Sequence, residues 1–166
     1  MNKLVGITLG AAATYGIVRY LQMQNVSDKT NITLVEPRIH DINLAGLYIR
    51  TEVQVNNQTI NSVQITKPVV SLKSKRVLLS QSNAENKLIF IKPLGITKID
   101  TIELRIGWVS LARIVSNIVT RIPSVIKAFK TGNSKELSQK LGIPIEMSFS
   151  TYVNGLFYQS EPTKII

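Results

Sequence analysis

The chain has 166 residues and carries 20 Lys and Arg against 10 Asp and Glu, a formal net charge of +10. It has no cysteine, which excludes disulfides, thiolate metal sites and thiol catalysis. A basic balance of this size suits nucleic acid, anionic lipid or an acidic protein, but the cations are spread along the chain with no dense Lys/Arg block of the nucleic-acid-binding kind.

Residues 4–18 form an uncharged, mostly apolar run, with Lys3 before it and Arg19 and Tyr20 after it. As a helix rising about 1.5 Å per residue it reaches roughly 22 Å, short of the ~30 Å hydrocarbon slab of a bilayer. Snorkelling by Lys3 and Arg19, with Tyr15 and Tyr20 near an interface, makes up part of the difference. Three readings compete: a cleavable signal, a membrane anchor, and a helix buried against protein in a large assembly. The basic start suits a signal, yet Arg19, Tyr20, Leu21, Gln22 and Met23 stand where a cleavage site wants small residues. Gly6 and Gly10 form a GxxxG pair, and Ala13 and Ile17 continue the stripe. Small residues on one face let a second helix approach closely, which suits the anchor and the buried helix. The predicted organisation is an apolar helix over 1–21, a polar linker over 22–30 and one domain over 31–166. These last residues, about 135 of them, suffice for one core and are too few for two.

Period-two alternation dominates that domain. In residues 47–55 the odd positions are apolar or Thr and the even ones mostly polar, after which Asn56 and Asn57 end the strand. Further strands are predicted over 32–35, 62–66, 69–72, 77–79, 88–91 and 99–106. Pro37, Pro68 and Pro93 belong at edges or turns, where a missing N–H is tolerated, and His40 and Asp41 fall in a turn between Ile39 and Ile42. The strand over 145–153 is followed by Asn154-Gly155 and a return through Leu156, Phe157 and Tyr158, a strong hairpin signal. Seven or eight such strands predict a mainly β fold, an antiparallel sandwich of the immunoglobulin or fibronectin-III kind.

One segment, about 110–141, breaks this pattern. Leu111, Ile114, Val115, Ile118, Ile122, Val125, Ile126 and Phe129 recur at helical spacing. Pro123 is expected to kink or divide the helix near Ile122, and Gly132-Asn133 to stop it before a short second helix ending at Gly142. Its polar side carries Arg113, Arg121, Lys127 and Lys130, with Lys135 and Lys140 beyond and a lone Glu136. Solvated, these cations leave the apolar stripe simply closing one end of the sandwich. Used, they make a contact for anionic lipid or an acidic partner.

No catalytic constellation emerges. His40 is the chain's single histidine and precedes Asp41, but no G-x-S-x-G nucleophile elbow occurs. One histidine without cysteine does not make a zinc cluster, the carboxylates form no calcium loop, and neither phosphate-binding glycine motif is present. Aromatic residues are few, and Phe149, Phe157 and Tyr158 fall in the last hairpin, so a stacking platform for nucleic acid is disfavoured. Trp108, just before the helix, reads as a plug between helix and sheet.

The segments Glu36-Pro37-Arg38-Ile39-His40-Asp41-Ile42-Asn43, Thr51-Glu52-Val53-Gln54-Val55-Asn56-Asn57, Ile65-Thr66-Lys67-Pro68-Val69-Val70-Ser71-Leu72, Val77-Leu78-Leu79-Ser80-Gln81-Ser82 and Phe149-Ser150-Thr151-Tyr152-Val153-Asn154-Gly155 together resemble the late embryogenesis abundant group 2 proteins, or water-stress and hypersensitive-response (WHy) domain. The likeness spans roughly 32–158, and Asn57 stands where that group commonly has Pro. It implies a β-sandwich without enzymatic activity or cofactor, often attached behind an N-terminal apolar helix. The expectation is a non-enzymatic interaction or structural protein, held by residues 1–21 to a membrane or a larger oligomeric complex. The alternative is a structural component of a virus particle.

Overall fold

The structure, a computed structural model, describes residues 29–165. The apolar run and Gly6, Gly10 and Ala13 lie outside the described residues, and the helix expected there rests on the sequence alone. Within the described residues the fold is mainly β, built as two antiparallel sheets of three and seven strands. The first contains β1 (Thr30–Asn43), β2 (Gly46–Asn57) and β7 (Ile96–Ile106), in the order β1-β2-β7. The second contains β3 (Val63–Thr66), β4 (Val69–Ser74), β5 (Val77–Gln81), β6 (Leu88–Ile91), β8 (Glu146–Val153), β9 (Leu156–Gln159) and β10 (Thr163–Lys164).

β2 is the template of the first sheet. Leu47, Ile49, Thr51, Val53 and Val55 are buried, alternating with half-exposed neighbours, as the period of two requires. β7 keeps Ile99 and Ile102 on the same inward face although they are three residues apart. It does so by a bulge: Thr51 faces Ile102 and Val53 faces Ile99, so two steps on β2 match three on β7.

The edge strand β1 is far longer than the four residues predicted. It continues through Pro37, His40 and Asp41, with register shifts between Val35 and Arg38 and between Ile39 and Asp41. The predicted turn at His40 and Asp41 is therefore corrected to a bulge inside a strand. Pro37 is tolerated because its own shift takes up the lost ladder bond at a sheet edge.

In the second sheet β3 and β4 form one interrupted line along β8, with Ile65 opposite Val153 and Val69 opposite Ser150. The interruption falls at Lys67 and Pro68, where Thr66 Oγ1 accepts from the Tyr152 N–H at 2.9 Å and stands in for the missing ladder. β6 and β5 continue the same broken line outside β3 and β4, while β9 and β10 share the other side of β8. The β8–β9 hairpin turns on Asn154 and Gly155, both at positive φ (49° and 85°), as Asn-Gly predicts.

Both sheets share a core that includes Ile49, Val53, Ile65, Leu72, Ile91, Ile106, Met147 and Phe149. The chain crosses between the sheets twice at one pole, through residues 58–62 and residues 92–95. Asn57 is fully buried there and joins these loops. Its side-chain amide donates to the carbonyls of Asn61 (2.8 Å) and Lys92 (3.0 Å), and its carbonyl accepts from the Thr59 N–H (3.0 Å) and hydroxyl (2.7 Å). β1 starts at this same pole, because Thr30 pairs with Asn57.

The helices follow β7 at the opposite pole: α1 (Trp108–Ala112), α2 (Ile118–Lys130) and α3 (Ser134–Leu141). Trp108 is buried and its indole N–H donates to the Asn43 carbonyl at 3.0 Å, tying α1 to the β1–β2 turn. The expected division at Pro123 is corrected. The chain breaks over 113–117, where the Ile114 and Ile118 N–H groups bond three residues back and Ile118 turns into the core. Pro123 instead lies exposed within α2, which runs without a break from Ile118 to Lys130. α3 is capped by the Asn133 side chain on the Glu136 N–H and stops at Gly142 with φ 69°.

Candidate interaction surfaces

The cations of the helical segment divide into two groups. Lys127 and Lys130 are exposed on the outer face of α2, and Arg113 is exposed in the break before it. Arg121 lies on the flank of α2, half-buried, with its guanidinium beside Gly142 at the end of α3. Lys135 and Lys140 are exposed on α3. Among the described residues the ion pairs are Arg50 with Glu103, Lys67 with Glu85 and Lys98 with Glu52, so none of these six cations is neutralised by a carboxylate within the chain. The helical spacing predicted outward cations. It did not separate Arg121, because that separation depends on α3 folding back against α2.

Between α2, α3 and β1 runs a half-open groove of about 550 Å³. Pro37, Ile39, Ala128, Phe129, Leu137 and Ile165 make its apolar walls, and Arg38 and Lys135 stand at its rim. A smaller depression of about 320 Å³ opens where β3 and β4 are interrupted, between Lys67, Glu85, Tyr152 and Phe157. Tyr152 and Phe157 pack edge to face there, with ring centres 5.6 Å apart. A hydrogen bond from Lys67 holds the exposed Glu85 carboxyl below the usual carboxylate range, aided by the charges of Lys67 and Lys87.

His40 is exposed on β1. Its Nδ1 lies 3.4 Å from the Arg50 guanidinium, which in turn binds Glu103 at 2.6 Å. The Asp41 carboxylate accepts from the Asn43 amide at 2.7 Å, at the end of β1 that leads into the hairpin turn. His40 and Asp41 thus serve separate neighbours and do not make a base and its orienting partner. Among the described residues no group of three or more His, Asp or Glu is placed to hold a metal ion.

Sequence reasoning missed a third surface. Ile60, Leu94 and Ile96 are exposed by 80%, 70% and 65% at the pole where the sheets are joined. The signal was present as isolated apolar residues inside Asn-, Pro- and Gly-rich loops, where neither strand nor helix periodicity applies.

No protein-family model matches the chain, so the resemblance to the WHy group rests on the quoted residues alone. No curated protein matches it in sequence. Among solved structures it is similar to one described as the crystal structure of a protein from Archaeoglobus fulgidus, at 13% identity and a TM-score of 0.41, over 82% of this chain and 98% of that one.

Proposed function

We propose that this is a non-enzymatic interaction protein: an immunoglobulin- or fibronectin-III-like β-sandwich held to a membrane by residues 1–21, presenting its cationic helices to an acidic protein partner. The observation that carries the reading is a separation along β1 and β2. The apolar run joins the body at Thr30, while α1 follows Ile106, which pairs with Leu47 at the other end of β2. At about 3.3 Å per residue those ends, ten residues apart on β2, are roughly 33 Å apart. A body tethered at one pole holds the unpaired Arg113, Lys127 and Lys130 away from its own membrane, toward the solution. In this arrangement Gly6, Gly10 and Ala13 supply a face on which tethers associate. The two antiparallel sheets around one core support the sandwich.

The test is carbonate extraction of membranes from cells expressing the full chain, with the mass of the N-terminal peptide. The expected outcome is intact Met1 in the carbonate-resistant pellet. A soluble chain lacking about twenty residues, the length of a cleaved signal, overturns the tether. Recovery in a salt-stable particle free of lipid assigns the apolar run to protein packing.

A further inference from the structure

We infer that the pole carrying Ile60, Leu94 and Ile96 is itself a membrane-contact surface, which seats the body on the bilayer that its tether enters. This rests on the membrane reading of residues 1–21. Isolated exposed apolar side chains are ordinary on soluble proteins. These three stand together, because the loops that carry Ile60 and Leu94 are joined to each other and Ile96 opens β7 directly after the second loop. The Leu94 N–H donates to the Thr59 carbonyl at 2.9 Å, and the Asn57 N–H donates to the Gly95 carbonyl at 2.9 Å. Leu94 is held at φ 49°, a conformation unusual for a side-chain-bearing residue, and its side chain projects into solvent. Phe90, also exposed, lies on the adjacent edge strand β6.

Charge agrees with lipid as the occupant. Across residues 57–62 and 92–97 the sole charged side chain is Lys92, and Lys29 stands just before β1. Apolar tips rimmed by lysine and free of carboxylate suit the headgroup boundary of an anionic bilayer.

The far pole also exposes apolar side chains, Leu44 (83%) and Val109 among them, and tether length decides between the two. The linker residues 22–29 reach at most about 26–29 Å when fully extended, and a relaxed flexible chain of that length spans roughly 14–17 Å. Even fully extended, the linker is shorter than the roughly 33 Å of β2 that the far pole must span to touch the same bilayer. The near pole reaches it with the linker relaxed.

The absence of native cysteine permits a direct test. Full-length single-cysteine variants Ile60→Cys, Leu94→Cys, Leu44→Cys and Val109→Cys, each bearing an NBD label, are reconstituted into phosphatidylcholine–phosphatidylglycerol vesicles with nitroxide-labelled lipids. The expected result is blue-shifted, nitroxide-quenched emission at 60 and 94 and water-like, unquenched emission at 44 and 109. Vesicle flotation of the chain with all four labels in water overturns the contact and leaves the tether standing. Quenching at 44 and 109 in place of 60 and 94 reverses the orientation and overturns the inference. Failure to float removes the tether and the contact together.

Discussion

Two buried polar side chains have opposite fortunes. Asn57 meets all of its local demands, donating twice and accepting twice while fully buried. Replacing it with alanine removes these bonds and leaves the Asn61 and Lys92 carbonyls short of a donor. At about 1 kcal/mol net per hydrogen bond, Asn57→Ala is expected to cost roughly 2–4 kcal/mol in urea unfolding, with an unchanged slope. Ser74 is also fully buried, and its hydroxyl has no hydrogen-bond partner. A buried hydroxyl without a partner carries its desolvation penalty and returns nothing, so Ser74→Ala is expected to hold or raise stability, by up to about 1–2 kcal/mol in the same assay. A proline at this position would offer neither the side-chain bonds nor the N–H that reaches Gly95.

At the scale of elements, turns decide how well the hairpins close. β8 and β9 are joined by Asn154 and Gly155, the residues a type I′ turn prefers. β4 and β5 are joined by Lys75 and Arg76, which hold the same positive φ angles (47° and 70°) without that advantage. Left-handed backbone costs a side-chain-bearing residue about 1–2 kcal/mol, so the double change Lys75→Asn, Arg76→Gly is expected to add roughly 1–2 kcal/mol, read as a higher urea midpoint. A lower midpoint would mean that the exposed lysine and arginine make contacts worth more than the strain. The bulges of β1 and β7 belong to this scale too. They were not legible beforehand, because a bulge answers the register of the partner strand and leaves no local mark on its own residues. In β7, strict alternation from Ile102 reverses at Ile99, and only pairing with Val53 shows that both face inward.

For the whole molecule, the arrangement of charge carries the functional argument. Lys127 and Lys130 are exposed and unpaired in the half distal to Thr30. The pair of substitutions Lys127→Glu and Lys130→Glu is expected to weaken binding of polyglutamate by roughly tenfold or more at low ionic strength, and progressively less as salt screens the attraction. Vesicle flotation of the same variant is expected to be unchanged, since its tether and near pole are intact. Equal binding of polyglutamate by wild type and variant would remove the acidic partner from the proposal. Of the surfaces discussed, the cations were legible from helical spacing, which places them outward whatever the fold. The apolar pole was not, because Ile60 and Leu94 come to the same pole only after two loops distant in sequence are hydrogen-bonded together.

The sequence by itself determined what local physics controls: the inward residues of β2 and β8, the Asn-Gly hairpin, the stop of α3 at Gly142, and the uncharged apolar run of residues 4–18. Each depends on side-chain period or on backbone preference within a few residues. Tertiary structure alone decided the rest. It made β3 and β4 one interrupted line along β8, moved the helix break from Pro123 to residues 113–117, and placed Thr30 at the pole opposite α1. Those outcomes follow from pairing and burial between segments far apart in the chain, where the cost of an unpaired backbone group or an unfilled core outweighs local preference.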